Sequence, residues 1–486
     1  MTFWSAERLN ELQGRRVIVL GDVMLDTFVY GQCTRISPEA PIPVVRIGRE
    51  DVMLGGAGNV ARNIAALGGE AILIGLAGHD TAGLALRAKV TSEPGIQADL
   101  VSDGRPTTQK TRYIAAQQQM LRVDAEQTHA AAPEPLLAAF ARHLPQADAV
   151  VLSDYAKGTL SPDLLRDVIA QARAAGKPVI ADPKSSDVSR YDGVTLMTPN
   201  AGEASTATGI PCDGDDRSVT EAAEQLLQRM AHSPAILITR GPRGMTLAER
   251  GRDVRHLPAL AREVFDVSGA GDTVIATLAL SAAAGLPLME GVELANVAAG
   301  MAVAKPGTAV VTADELAREL RQEWVQTTDR KIKSPDEALT QVARWRSSGK
   351  RIGFTNGCFD LIHPGHVSQL AQARSTCDHL IVGLNTDASI QRLKGPLRPV
   401  QHEDSRAIVL ASLQSVDLVI LFDDDTPIGL IDAIRPDVLI KGKDYTVDQV
   451  VGSSLVLGYG GEVFLADIAA GHSTSDIIDR LTRKVS

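Results

Sequence analysis

Short apolar runs alternate with longer segments of helical period along most of the chain. RRVIVLGDVMLD (15–26), AILIGLAG (71–78), AVVLSDYAKG (149–158), PVIADPK (178–184), GVTLMTPN (193–200) and AILITRG (235–241) each read as a strand. Each ends in polar or glycine residues. PIPVVRIGRE (41–50) reads as an edge strand, because its prolines cannot donate to a ladder. AGNVARNIAALGG (57–69) has a helical period and stops at glycines. Two small-residue helices follow, GDTVIATLALSAAAG (271–285) and ANVAAGMAVAKPG (295–307). This alternation predicts a mainly parallel sheet with helices on both faces. Ligands of such sheets bind at the carboxyl ends of the strands, so the residues there carry the candidate chemistry.

The polar stretch RQEWVQTTDRKIKSPDEA (321–338) interrupts the rhythm and is the candidate domain junction. Beyond it KRIGFTNGCFD, HLIVGLN, DLVILF, DVLIKGKDY and EVFLAD begin a second α/β series. The expected organisation is a domain over 1–325, a linker over 326–345 and a smaller domain over 346–486. A chain of 486 residues fits two or three domains at roughly 150 residues each.

Composition narrows the class. The chain is 44% hydrophobic and 22% charged, ordinary for a globular protein. Aromatics are only 3%, so Ala, Val, Leu and Ile must build the core, as in parallel sheets buried on both faces. A net charge of -10 argues against a nucleic-acid surface. MTFWSAERLNELQGRR does not lead from basic residues into an apolar run, and no run reaches the ~18 residues a bilayer span needs. No membrane partner and a cytoplasmic location are expected. Cys33, Cys212, Cys358 and Cys377 are scattered, with no C-x-x-C pair, which argues against a disulfide framework or zinc knuckle.

The most informative run of the first domain is FDVSGAGDTVIATLAL (265–280). Its turn Gly269-Ala270-Gly271 leads into a helix whose first turn carries Asp272. Glycines let backbone N–H groups approach a phosphate, and a helix N-terminus favours an anion. A carboxylate beside that hole repels phosphate, so its chemical use is to take a proton from an attacking hydroxyl. The structural alternative is a glycine turn with an acid favoured by the helix dipole. At other strand ends, Asp22 and Asp26 are placed to hold sugar hydroxyls, and GGAGN (55–59) offers Gly55, Gly56 and the Asn59 amide. TPNAGE (198–203) sets Asn200, Ala201, Gly202 and Glu203 where hydrated Mg²⁺ would sit beside phosphates. TRGPRG (239–244), with Thr239 and Gly241, reads as a nucleotide loop. Gly56 to Ala61 fits G-x-G-x-x-A, but its preceding strand is proline-bounded and edge-like, which argues against a dinucleotide site.

GGAGN, NAGE and SGAGD, in this order, resemble the ribokinase (PfkB-type) sugar kinases over about residues 12–320. The resemblance implies that Asp272 is the catalytic base and that Gly269, Ala270 and Gly271 stabilise the transferring phosphoryl group. It places Asn200 to Glu203 at the ATP–Mg²⁺ site and Asp22, Gly55, Gly56 and Asn59 on the sugar. RISPEAPIPVV (35–45) and RYIAAQQQMLRVD (112–124) resemble the heptose-phosphate members.

In the second domain, TNGCFDLIHPGHVSQL (355–370) sets His363 and His366 around Pro-Gly at a helix start. Three readings compete: a metal pair, a helix start with incidental histidines, or a phosphate site. Zinc pairs on helices are usually H-x-x-x-H, whereas this spacing is H-x-x-H. Imidazole N–H groups at a helix N-terminus suit phosphate oxygens. LKGPLRP (393–399) gives Lys394 and Arg398 on an expected flexible loop, and KGKDY (441–445) gives Lys441 and Asp444 after a strand. GHSTSDII (471–478) sets Ser473, Thr474 and Ser475 at a helix start.

TNGCFD, HPGH and STS resemble the nucleotidyltransferase superfamily of cytidylyltransferases and pantetheine-phosphate adenylyltransferase, over about 350–482. The resemblance implies a Rossmann-like domain in which His363 and His366 bind nucleotide phosphates. Thr355, Asn356 and Phe359 would line the nucleotide pocket, with Lys394 and Arg398 as its cations. Ser473 to Ser475 would hold pyrophosphate, and Lys441 and Asp444 the second substrate. The domain order resembles the bifunctional heptose-phosphate enzymes of Gram-negative bacteria. That implies ATP and heptose phosphates as substrates, Mg²⁺ with ATP, and a homodimer. The expected reactions are C1 phosphorylation of heptose 7-phosphate and adenylyl transfer to heptose 1-phosphate, giving ADP-heptose for the lipopolysaccharide core. The alternatives are another sugar kinase fused to a cytidylyltransferase, or one domain serving as a non-catalytic nucleotide-binding module.

Overall fold

The computed structural model describes residues 6–115, 118–212, 214–260, 264–305 and 307–467. The chain divides into two compact units, Met1–Leu320 and Arg321–Ser486. A nine-stranded sheet forms the frame of the first. From edge to edge its strands are Arg255–Leu257, Met245–Glu249, Ala235–Thr239, Leu196–Met197, Val179–Asp182, Ala149–Ser153, Arg16–Gly21, Glu70–Leu76 and Ile96–Val101. Pairing is parallel except at the Arg255–Leu257 edge, where the chain turns back in hairpins. Side chains of a strand alternate between faces. Val17 and Val19 therefore pack with helices Ala57–Ala66, Ala270–Ala283 and Leu288–Ala302. Ile18 and Leu20 pack on the opposite face with Pro133–His143, Pro162–Ala174 and Asp216–Arg229.

Local chemistry sets where these helices begin. The Ser161 hydroxyl accepts the Leu164 N–H at 3.3 Å with Pro162 in the first turn, and Asp215 accepts the Ser218 N–H at 3.0 Å. Both are N-caps that satisfy an otherwise unpaired donor. Helix Ala270–Ala283 is buried along nearly its whole length, because Ala, Val and Leu surround it. Two of its hydroxyls are satisfied within the helix: Thr277 donates to the Thr273 carbonyl and Ser281 to the Thr277 carbonyl, each at 2.8 Å.

A second, four-stranded sheet was not anticipated. Its order is Pro43–Gly56, Val23–Ile36, Gln109–Ala115, Gln118–Ala125. The apolar run of the first strand region stops at Asp26. The backbone instead continues to Ile36, with burial fading along it, because pairing with Pro43–Gly56 supplies its hydrogen bonds. Pro43–Gly56 is the edge strand its prolines predict.

The second unit holds a six-stranded sheet, parallel throughout. Its order is Ile332–Lys333, Leu418–Phe422, His379–Asn385, Ile352–Gly357, Val438–Gly442, Glu462–Ala466. Leu380 and Val382 face one core and Ile381 the other, again by alternation. The residues expected to be a linker are in regular structure. Helix Ala313–Lys331 runs into them, Ile332–Lys333 joins the sheet, and helix Pro335–Ser347 follows. The Ser-Pro pair that signalled a break is a helix start, with Ser334 and Glu337 forming a capping box. Among the described residues, no helix is long and apolar enough to cross a membrane.

Arg406 is fully buried in this unit. It donates to the carbonyls of Gln401 at 3.0 Å, Cys358 at 2.7 Å and Asn385 at 2.9 Å, and to the Asp387 carboxylate at 2.6 Å. Arg406→Met leaves those acceptors unpaired. It is expected to destabilise the second unit by roughly 3–5 kcal/mol, measured by urea unfolding.

Candidate active sites

In both sheets the strand order reverses at one interior point. In the first unit the reversal lies between Arg16–Gly21 and Ala149–Ser153; in the second, between Ile352–Gly357 and Val438–Gly442. Crevices form at the carboxyl ends of strands at such points.

In the first unit, Asp22 and Asp154 leave the two strands flanking the reversal. Asp22 Oδ2 accepts the backbone N–H of Tyr155 at 2.8 Å and of Lys157 at 2.9 Å, and Oδ1 accepts that of Thr159 at 3.1 Å. Asp154 accepts the Ala156 N–H at 2.8 Å and the Tyr191 hydroxyl. Two buried carboxylates thus fix the loop 155–159, with Ala156 in the left-handed region at φ 55°. Asp22, expected on the sugar, anchors this loop.

Asp272 sits in the first turn of helix Ala270–Ala283, whose N-cap Gly269 has φ 79°. That backbone conformation suits glycine and opens the helix N-terminus toward the crevice. The Asp272 carboxylate is buried and held at both oxygens. Asn59 Nδ2 donates to Oδ2 at 2.6 Å and the Tyr155 hydroxyl to Oδ1 at 2.7 Å. Burial pushes the carboxyl up to about 6, helped by the nearby Asp26 charge and opposed by the two donors. Asp26 pairs with Arg112 at 2.7 Å. Gly55 lies so close that an added Cβ would be 2.2 Å from Asp26 Oδ2, so the glycine is required by packing inside the protein. Gly56 is the N-cap of helix Ala57–Ala66.

A cavity of about 200 Å³ opens between Asp272 and the strand ends that carry Lys184, Asn200, Glu203 and Thr239. Gly269 and Gly271 line it as well. Asn200 and Glu203 form a capping box for helix Ala201–Thr208, which starts at Ala201 and includes Gly202. The remaining oxygen of Glu203, Oε1, accepts from Lys184 Nζ at 2.9 Å. Gly241 opens the single turn Gly241–Arg243 after Thr239. Asp182 also lines the cavity; burial, then the Asp272 and Glu203 charges, push its carboxyl well above the usual range. Excess buried negative charge beside a helix N-terminus fits a site completed by a cation. Among the described residues no three His, Cys, Asp or Glu side chains converge as a metal site.

In the second unit, His363 is the N-cap of helix Pro364–Ser375 and His366 lies in its first turn. Their rings stack at 3.9 Å between centroids, and the Phe359 ring lies 5.2 Å from His366. Phe359 adopts φ 43°, a turn that brings the motif back over the helix start. Burial, with His363 and Lys394 nearby, lowers His366 to about 4, so it is neutral at pH 7. Thr355 Oγ1, Asn356 Oδ1 and His366 Nδ1 are buried without hydrogen-bond partners among the described residues. Lys441 reaches across the reversal to donate to the Asn356 carbonyl at 2.8 Å. Burial lowers its ammonium to about 8, with Cys358 and Asp444 opposing.

Lys394 and Arg398 are not on a free loop. Lys394 ends helix Asp387–Lys394, and Arg398 pairs with buried Asp360 at 2.6 Å. Asp360 also accepts the N–H groups of Val400 at 2.7 Å and Gln401 at 3.1 Å, which pins the segment. Ser473, Thr474 and Ser475 lie outside the described residues.

Residues 15–315 match the pfkB family of carbohydrate kinases, and residues 354–480 match the cytidylyltransferase-like family. A relative from Caulobacter sp. (strain K31), named Bifunctional protein HldE, is 60% identical over 96% of this chain and 96% of its own length. One of the same name from Paramagnetospirillum magneticum is 51% identical over 99% of both. This chain belongs to the HldE family of bifunctional proteins, and its first unit is a pfkB-type carbohydrate kinase. Solved structures agree on the fold of that unit. Arabidopsis thaliana ribokinase superposes with a TM-score of 0.51 at 19% identity, covering 64% of this chain and 99% of that one. Escherichia coli phosphofructokinase-2 gives 0.53 at 20%, with the same coverage. The expected fold class, a ribokinase-like unit followed by a cytidylyltransferase-like one, is the one observed.

Sequence motifs alone do not single out Tyr155, Asp182 and Lys184 beside Asp272 in the HldE-family kinase unit, nor Asp360 and Arg406 in the second unit. The signal for the first three is in the sequence, since SDYAKG ends a strand beside the reversal and ADPK ends the next strand of the sheet. A base at the position of Asp272, with its carboxyl at about 6, predicts that kcat/KM of the kinase falls tenfold per pH unit below about 6. A pH–rate profile at saturating ATP measures this.

Proposed function

We propose that the first unit transfers the γ-phosphate of ATP to the C1 hydroxyl of D-glycero-β-D-manno-heptose 7-phosphate, giving the 1,7-bisphosphate. After a separate phosphatase removes the 7-phosphate, the second unit joins heptose 1-phosphate to AMP from ATP. The products are ADP-heptose and pyrophosphate. The observation that carries the reading is the buried Asp272 carboxylate at a helix N-terminus, facing a cavity at the carboxyl ends of the sheet strands. The restricted segments 35–45 and 112–124, together with the HldE-family relatives, support the heptose substrate.

In the first reaction, Asp272 takes the C1 hydroxyl proton as the oxygen attacks the γ-phosphorus and ADP leaves. The N–H groups at the start of helix Ala270–Ala283 meet the charge on the equatorial oxygens. Mg²⁺ bound with ATP would be held beside Glu203 and Asp182 and would neutralise phosphate charge. Asn59 and Asp26 border the sugar, and Asp22 shapes the wall through its loop.

In the second reaction the nucleophile is already a phosphate anion, so no base is needed. Its oxygen attacks the α-phosphorus and pyrophosphate departs. His363 and His366 donate to phosphate oxygens, and Lys441 supplies charge from the substrate side. Thr355 and Asn356 are the unpaired polar groups that the nucleotide satisfies. The enzyme works in the cytoplasm as a homodimer.

Phosphorus NMR with ATP, Mg²⁺ and heptose 7-phosphate, followed by the phosphatase, tests both steps. A bisphosphate, then ADP-heptose with pyrophosphate, is the expected sequence; CTP in place of ATP should not support the second step. Asp272→Asn should reduce the kinase by roughly 10²–10⁴-fold and spare adenylyl transfer. His366→Ala should do the converse, by roughly 10²–10³-fold.

A further inference from the structure

We propose that Tyr155 is the positioning residue of the kinase base, its phenol holding the Asp272 carboxylate in the orientation that accepts the sugar proton. This rests on Asp272 being that base. A carboxylate turns easily about its last torsion, which has broad minima. Here the Tyr155 hydroxyl at 2.7 Å and the Asn59 amide at 2.6 Å grip opposite oxygens. Each oxygen keeps a second lone pair for substrate.

Tyr155 is itself fixed from below. Its N–H donates to Asp22, Ala156 is held by Asp154, and the Lys157 N–H returns to Asp22. Lys157 Nζ then reaches Glu126 at 2.7 Å, which ties the loop to the end of strand Gln118–Ala125. Three backbone donors on one buried carboxylate is a large commitment for a five-residue turn. The side chain that this turn delivers to Asp272 is Tyr155.

The phenol acts only as a donor. Burial, and then the Asp272, Asp182 and Asp26 charges, hold its ionisation well above the ordinary tyrosine range. The other groups around Asp272 are Asp26 with its partner Arg112, from the strands Val23–Ile36 and Gln109–Ala115, and Asp182 at the end of Val179–Asp182, with Lys184 and Glu203 beyond it. All of these remain when only the hydroxyl is removed.

The test is Tyr155→Phe in the full chain, with kinase pH–rate profiles beside those of the wild type and Asp272→Asn. Removing a donor to the charged carboxylate raises its pKa. The acid limb should move up by about one unit, the equivalent of one hydrogen bond. The kcat should fall roughly tenfold, while the sugar KM changes by less than about twofold. Because Phe could loosen the loop, 3,5-difluorotyrosine at position 155 is the companion: its ring packs alike and donates more strongly, so the limb should move down. Opposite shifts in the two variants support the proposal. A lower kcat with the limb unmoved in both, or no change in either, overturns it. Retained turnover in Asp272→Asn instead removes the base assignment, and the proposal with it.

Discussion

The contact on which the first unit depends is the hydrogen bond from Asn59 to Asp272, made where helix Ala57–Ala66 crosses helix Ala270–Ala283. It is one rung of a short ladder. Asn63, one turn further along, accepts the Thr273 hydroxyl at 2.8 Å and donates to the Asn59 carbonyl at 2.9 Å. The two helices can lie this close because their facing residues are Gly, Ala, Asn and Thr. A buried carboxylate is costly unless hydrogen-bonded. The ladder makes the cost bearable and leaves a carboxyl whose affinity for protons suits a base near neutral pH. Segments that flank the two helices, GGAGN and SGAGD, are more than 200 residues apart in the chain, so this contact also closes the unit.

Buried carboxylates that accept backbone N–H groups recur in both units. Asp22 and Asp154 shape the loop 155–159, and Asp360 shapes 398–401. A loop gains fixed geometry this way without a regular ladder, because each donor that would otherwise be lost from water is matched to a charged acceptor. In the second unit Arg406 plays the complementary part, a buried cation that gathers carbonyls from three segments. Both devices put rigidity directly beneath the crevices.

The alternation of apolar runs and helical periods made the parallel sheets legible, because strands such as Val17–Leu20 are buried on both faces and show no polar side. The strand-end rule points to Asn200 and Glu203, the glycine turn before a helix to Asp272, and the paired histidines at a helix start to His366. Strand Val23–Ile36 escaped notice because its far half is solvent-facing and owes its form to pairing rather than to apolar content. The Ser-Pro at 334–335 starts a helix rather than ending a domain, and the dipeptide alone does not distinguish the two. A carboxylate or guanidinium at a loop is as able to hold the loop as to meet a ligand, and in this chain Asp22 and Arg398 hold their loops.

By itself the sequence determined the order of two α/β units, the glycine turns and the residue types at their strand ends, because these depend on local periodicity and on spacing along the chain. Tertiary structure alone decided which of those polar groups face a cavity and which are consumed by neighbouring backbone. It brought Tyr155 and Asn59 onto opposite oxygens of Asp272, and Lys441 across to Asn356. Hydrogen-bond partners 85 to 213 residues apart leave no trace in a window of sequence, and burial, which sets the proton affinities of Asp272 and His366, is a property of the packed whole.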